Sequence, residues 1–173
     1  MDADTPGTGE PTDVPSWFAR IGPPYPAIVG REHLEAADAA VAAFPNAAVL
    51  WVARGDLIQL LGAPLTRWPT SEIERSYARA IDAEPDNAIG YEELGIWLDL
   101  MYEDRRDEAA GILDDAILRG AGPHAYVARA RLHAEAGEAQ PGLMLLRQSP
   151  FADHEAILEM IREIERGDWN PDS

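Results

Sequence analysis

The sequence predicts an all-α protein, in which antiparallel helix pairs are stacked one after another. Apolar residues recur at three- and four-residue steps in segment after segment, which is the pattern of amphipathic helices. The turn prolines Pro45, Pro85 and Pro123 lie 40 and 38 residues apart. We find no stretch with the two-residue alternation of a β-strand. A repeat of this length is typical of a solenoid of paired helices.

Composition restricts the class of protein. The 173 residues carry a formal net charge of −17, with Arg as the only basic residue besides His and with no Cys. The lack of Cys excludes disulfides, thiolate metal ligands and a Cys nucleophile. The negative charge disfavours nucleic acid and membrane partners and favours a basic one. Two interpretations stay open: the acidity serves solubility alone, or it forms a face for a cationic partner.

The sequence shows neither a signal peptide nor a membrane-spanning segment. The first residues are acidic and lack the apolar segment of a signal peptide. No apolar run approaches the roughly 20 residues that span a bilayer. We therefore expect a cytoplasmic protein.

Both ends of the chain differ from its middle. Residues 1–15 are acidic, with little to bury, and are expected to be disordered. Residues 16–30 contain several prolines that oppose a continuous helix, and apolar side chains such as Trp17, so we predict an extended arm packed on the domain. Alternatively, this arm occupies the protein's own groove. In the tail, residues 168–173, Trp169 either packs on the last helix or anchors a partner.

Eight helices are expected in residues 31–167, the predicted helical-repeat domain. Ser71 and Glu74 have the pattern of a capping box, and Asn87 and Asp153 are suitable N-cap residues. Gly and Pro residues mark most of the helix ends. The expected helices cover residues 31–44, 47–61, 72–84, 88–101, 107–119, 124–136, 142–148 and 154–166.

The central repeat carries the most specific pattern. Tyr91 is followed by the pair Leu94-Gly95 in its first helix. Its second helix supplies Ala109, Leu113 and Ala116. The preceding copy supplies Trp51, Gly55, Tyr77, Ala80 and Pro85, and the later copy supplies Tyr126, Ala130 and Gly137. In these positions residues 31–150 resemble the tetratricopeptide repeat (TPR) family, although Sel1-like or other α-solenoid repeats remain open. The departures are Arg54 and Arg129 where Leu is usual, and Ile73 and Gly142 where Ala is usual.

The resemblance implies a short right-handed superhelix of about three repeats with a C-terminal capping helix. TPR proteins bind peptides on the concave face, which the first helix of each pair lines. The residues that this implies for the concave face are Val52, Asp56, Gln59, Leu60, Glu92, Ile96, Asp99, Leu100, Val127, Arg131 and Glu135. Their mixture of carboxylates and aliphatic side chains suits a peptide with basic and apolar residues. It does not match the basic clamp by which some family members hold a C-terminal carboxylate.

No catalytic motif is found. The four His lack the spacing of a helical zinc site, and glycine-rich phosphate loops and nucleophile elbows are absent. We therefore expect no enzymatic activity, no cofactor and no metal. The sequence favours a module that binds a peptide or protein. The alternatives are an acidic inhibitor or immunity-type protein that neutralises a basic partner, and a structural dimerisation element; the oligomeric state stays open.

Overall fold

The computed structural model describes residues 10–22, 29–62 and 68–169. Within these ranges it contains nine α-helices, a short 3-10 turn at Glu103–Arg105 and no strand, which confirms the predicted all-α class. The helices are α1 (Val14–Ile21), α2 (Arg31–Ala43), α3 (Ala48–Leu61), α4 (Ser71–Ala83), α5 (Ala88–Met101), α6 (Arg106–Leu118), α7 (Pro123–Glu135), α8 (Ala139–Gln148) and α9 (Glu155–Arg166). None of these helices is long and apolar enough to cross a bilayer.

The segment expected to be an extended arm instead contains most of a helix, α1, which begins at Val14, among the residues that were expected to be disordered. Pro15 is compatible with it because a proline in the first helical turn gives up no hydrogen bond. The Asp13 carboxylate accepts a hydrogen bond from Ser16 N at 2.7 Å and caps the helix. Trp17 and Ile21 are buried against the rest of the molecule. The prolines that suggested an extended chain follow this helix, at residues 23–28, outside the described residues.

Two of the predicted caps differ in detail. His154, and not Asp153, caps α9, through a hydrogen bond that its Nδ1 accepts from Ala156 N at 3.2 Å. Ser71 lies inside α4 instead of capping it, so the capping box with Glu74 does not form. The carbonyl groups of the residues before Ser71 accept the first amide hydrogen bonds of this helix instead. The cap that Asn87 was predicted to provide does form, with Ile89 N donating to its side chain at 3.1 Å.

Helices adjacent in sequence pack against each other throughout the described chain, from α1 on α2 to α8 on α9. In addition, each odd-numbered helix contacts the next odd-numbered one, from α1 to α9. Among the described residues, the even-numbered helices do not contact one another. The odd-numbered helices therefore form a continuous layer, and the even-numbered helices form a second layer whose helices do not pack on one another within the described residues.

Small residues allow the helices of a pair to approach closely. A Cβ atom on Gly55 of α3 would lie 2.5 Å from the Tyr77 ring of α4, and one on Gly95 of α5 would lie 2.7 Å from Leu113 of α6. In the pair of α7 and α8 the glycine is on the second helix, where a Cβ on Gly142 would lie 2.8 Å from a backbone carbonyl of α7. Close packing of this kind fixes each pair as a unit.

The repeat is less regular than the spacing of prolines suggested. Pro45 and Pro85 follow the ends of α2 and α4, whereas Pro123 is the first residue of α7. Proline is well suited to that position, because the first helical amide has no partner within the helix. Pro123 is therefore a start signal and is not equivalent to the other two.

The two arginines at the departure positions both reach back to the preceding even-numbered helix. Arg54 of α3 donates from Nε to Asp38 of α2 at 2.8 Å, and Arg129 of α7 donates from Nε to Asp114 of α6 at 2.8 Å. Each arginine lies three residues after an aromatic residue of its helix. A polar link between helices therefore replaces apolar packing at these positions.

Candidate protein-binding surface

A pocket of about 390 Å³ lies between α5 and α7, two neighbouring helices of the odd-numbered layer. Four residues predicted for the binding face line it together: Glu92, Ile96, Val127 and Arg131. The pocket also contains three residues that the sequence did not single out, namely Glu93, His124 and Ala128. We refer to this site as the α5–α7 pocket. It is a groove of mixed character, with apolar side chains, carboxylates and one arginine.

The other residues predicted for the binding face differ in how deeply they are buried. Val52 is only 6% exposed and packs in the larger core, so the structure places it inside the molecule. Asp56 is partly buried and accepts a hydrogen bond from the Tyr77 hydroxyl at 2.9 Å. Gln59, Leu60 and Leu100 are exposed near the C-terminal ends of α3 and α5. These exposed residues lie outside the α5–α7 pocket.

Asp99, Arg131 and Glu135 belong to a charged network between α5, α6 and α7. The Arg131 guanidinium donates to the buried Asp99 carboxylate. Arg106 Nη2 lies 3.3 Å from Glu135 Oε2. Burial raises the pKa of Asp99 above its ordinary value and the Glu135 carboxylate adds to the rise, while Arg131 opposes it. The network holds Arg131 at one end of the pocket.

The Arg131 guanidinium also contacts the ring of Trp169. The Arg131 guanidinium carbon lies 5.4 Å from the centroid of the Trp169 ring, a cation–π distance. The indole Nε1 donates to Glu163 of α9 at 3.0 Å, and the ring packs on the smaller core formed by α7, α8 and α9. Of the two alternatives for Trp169, the structure therefore shows the packed one.

Glu92 has a defined structural role. Its carboxylate accepts a hydrogen bond from Gly122 N at 3.1 Å, immediately before the first residue of α7. A carboxylate at the N-terminus of a helix is stabilised by the helix dipole and by the unpaired amides there. Glu92 therefore ties α5 to the beginning of α7 and fixes the width of the pocket at this end.

Glu93 is a carboxylate that has no partner among the described residues. It is partly buried, and within the described residues it makes no hydrogen bond or ion pair. Burial raises its pKa from 4.5 to about 7, and the neighbouring carboxylates Asp56 and Glu92 add to this rise. The carboxyl group is therefore about half ionised at neutral pH. The sequence alone does not distinguish Glu93, because an acidic residue in so acidic a chain gives no signal before its surroundings are known.

In the described ranges, no group of three or more His, Asp or Glu side chains is placed to hold a metal ion. No protein-family model matches this sequence, and no curated protein matches it either.

Proposed function

We propose that this protein is a TPR-like binding module without catalytic activity, which holds a peptide segment of a protein partner in the α5–α7 pocket. One observation carries the proposal: four residues predicted for the binding face, Glu92, Ile96, Val127 and Arg131, line one pocket. A groove with apolar walls and a few polar groups is the usual form of a binding site.

The packing of the helices supports a TPR-like arrangement. Contacts between successive odd-numbered helices, with none between the even-numbered ones in the described chain, are expected of a stack that curves toward its odd-numbered layer. The first helices of the pairs would then line the concave side of a right-handed superhelix. Gly55 against Tyr77 and Gly95 against Leu113 provide the small-to-large packing that the resemblance implies.

A screen of random peptides displayed on phage against the full-length protein tests the proposal. Val127→Trp fills the α5–α7 pocket and should weaken the selected peptides by at least about tenfold, the equivalent of about 1.4 kcal/mol. Leu118→Trp is the matched control, because Leu118 is 83% exposed on α6 and does not line the pocket. The proposal fails if no peptide is selected, or if the two variants bind the selected peptides equally well.

The net charge of −17 favours a second candidate, an inhibitor that neutralises a basic protein over a broad surface. Such binding depends on long-range electrostatics and weakens steeply with added salt. Binding in a pocket with apolar walls depends less on salt. Calorimetric titration of a selected partner at two salt concentrations separates the two functions, and a steep loss of affinity together with an unchanged affinity of Val127→Trp would favour the inhibitor.

A further inference from the structure

The α5–α7 pocket combines an apolar wall with acidic groups. Ile96, Val127 and Ala128 provide the apolar wall, and Glu92 and Glu93 provide two carboxylates one helical turn before Ile96. A side chain that fits this arrangement has an apolar stem and a positively charged end. Lysine and arginine side chains have this composition, and they often bury their stems while the charged end reaches a polar group.

Of the carboxylates Glu92, Glu93 and Asp56, which lie close together, Glu93 is the one available to a ligand, because the other two already accept hydrogen bonds from protein groups. On α5, Glu92 already accepts the Gly122 amide hydrogen bond. From α3, Asp56 faces Glu93 as a like charge and accepts a hydrogen bond from the Tyr77 hydroxyl of α4. No cation faces Glu93 from these helices within the described residues.

On α7, two groups of the pocket lining can carry a positive charge, His124 and Arg131. The Arg131 guanidinium donates to Asp99, one turn farther along the pocket, so its charge is already balanced. His124 is exposed, and its ring makes an edge contact with the ring of His154 at 6.3 Å between centroids. Neither group forms an ion pair with Glu93.

We propose that the α5–α7 pocket binds the side chain of a lysine or arginine of the protein partner, with its stem against Ile96 and Val127 and its charged end on the Glu93 carboxylate. Where Glu93 is protonated, this binding also releases its proton. The inference rests on the proposed function, since it names the side chain of the partner that the pocket recognises. The proton passes from the neutral Glu93 carboxyl group to solvent, and the incoming cation replaces it as the neutralising charge. No other bond forms or breaks.

Proton release makes the binding dependent on pH. The raised pKa of Glu93, about 7, means that the carboxyl group is mostly neutral at pH 6 and mostly ionised at pH 8. A cation binds the ionised form, so its affinity should fall by about tenfold from pH 8 to pH 6. His124 is a second titratable group in the pocket lining, so its contribution has to be separated from that of Glu93.

The experiment uses n-butylguanidinium as the probe for the basic side chain and n-butylurea as its neutral analogue. Both are titrated into the full-length protein, and binding is followed by NMR through the methyl groups of Ile96 and Val127. We expect butylguanidinium to bind at least about tenfold more tightly than butylurea at pH 8, and its affinity to fall about tenfold at pH 6. The guanidinium stays charged over this range, so any change comes from the protein.

Three variants identify the titrating group. Glu93→Gln should remove the pH dependence and weaken butylguanidinium at pH 8 to below its wild-type affinity at pH 6. His124→Gln should keep the pH dependence. Glu35→Gln, on the exposed side of α2, is the matched control for loss of one negative charge and should behave as wild type.

The inference is overturned if butylurea binds as tightly as butylguanidinium, or if the pH dependence survives in Glu93→Gln or is lost in His124→Gln. Its failure differs from failure of the proposed function. Displayed peptides that bind at the pocket without any basic residue would overturn the inference alone. Probe binding in a protein that selects no peptide would overturn the proposed function alone.

Discussion

Arg54 and Arg129 occupy the same position in two helices of the odd-numbered layer, yet their surroundings differ. Arg54 is 5% exposed, and besides Asp38 its guanidinium donates to Ser76 Oγ at 2.6 Å and lies 4.8 Å from the centroid of the Trp68 ring. Arg129 makes its pair with Asp114, which is 54% exposed. The same pair of residue types is thus part of the core in one helix pair and lies closer to the surface in another.

The comparison teaches that the energetic role of a charge depends on what compensates for its loss of water. Arg54 is withdrawn from water but is surrounded by Asp38, Ser76 and Glu72. Glu93, in the helix pair between the two arginines, is partly withdrawn from water, and no group of the described residues compensates it in this way. Buried and compensated charges fix a fold, whereas a poorly compensated one is available to a ligand.

The largest effect is expected for Arg54→Met. Removal of the guanidinium leaves Asp38 and Glu72 without their buried cation, which typically costs about 3–5 kcal/mol in the free energy of unfolding. Urea denaturation of the variant and the wild type at pH 7 measures this cost. The double variant Asp38→Leu with Arg54→Met should recover part of the loss, and a cost below about 1 kcal/mol for the single variant would contradict a buried role for Arg54.

An effect of intermediate size and opposite sign is expected for Glu93→Gln. Because the folded-state pKa of Glu93 is raised from 4.5 to about 7, its contribution to the stability of the wild type is fully present below pH 4.5 and is lost as the pH rises through about 7. A glutamine side chain does not titrate, so the variant does not lose stability at this position as the pH rises. The free energy of unfolding of the variant, relative to that of the wild type, should therefore be about 2 kcal/mol higher at pH 8 than at pH 5. Urea denaturation of both proteins at the two pH values measures this change.

Glu35→Gln provides the comparison for Glu93→Gln, since Glu35 is exposed. Its stability relative to the wild type should not change between the two pH values. An equal gain in both variants would show that relief of the overall negative charge, and not the site of Glu93, explains the effect.

The smallest effect is expected for Arg129→Met. An ion pair with an exposed partner contributes only up to about 1 kcal/mol, and Asp114 is 54% exposed, although the Arg129 side chain is only 16% exposed. Urea denaturation at low and high salt should show a loss within that range, which shrinks as salt screens the pair. A loss as large as that of Arg54→Met would abolish the distinction between the two positions.

Most of the fold could be predicted from the sequence. The eight helices from residue 31 onward follow from apolar periodicity and turn residues, which are local properties of the chain. The helix at Val14–Ile21 was missed because the prolines after it received more weight than the favourable position of Pro15 within it. Pro123 was misassigned for a related reason: a proline marks the start of a helix as well as the end of one.

The candidate site was predictable only in part. Counting along the first helices selected Glu92, Ile96, Val127 and Arg131 of the α5–α7 pocket. The same counting selected Val52, which is buried, since repeat position does not determine how deeply a particular side chain is covered. The importance of Glu93 depends on neighbours in another helix, and no local pattern contains that information.

The contact pattern of the helices also has a consequence for folding kinetics. No described helix contacts another that is more than two positions away along the chain. Chains whose contacts are this local have little loop entropy to lose and fold in microseconds to milliseconds. They also unfold from their ends, where the terminal helix has neighbours on one side only. The α5–α7 pocket, which lies away from both ends, should be among the last parts of the chain to open.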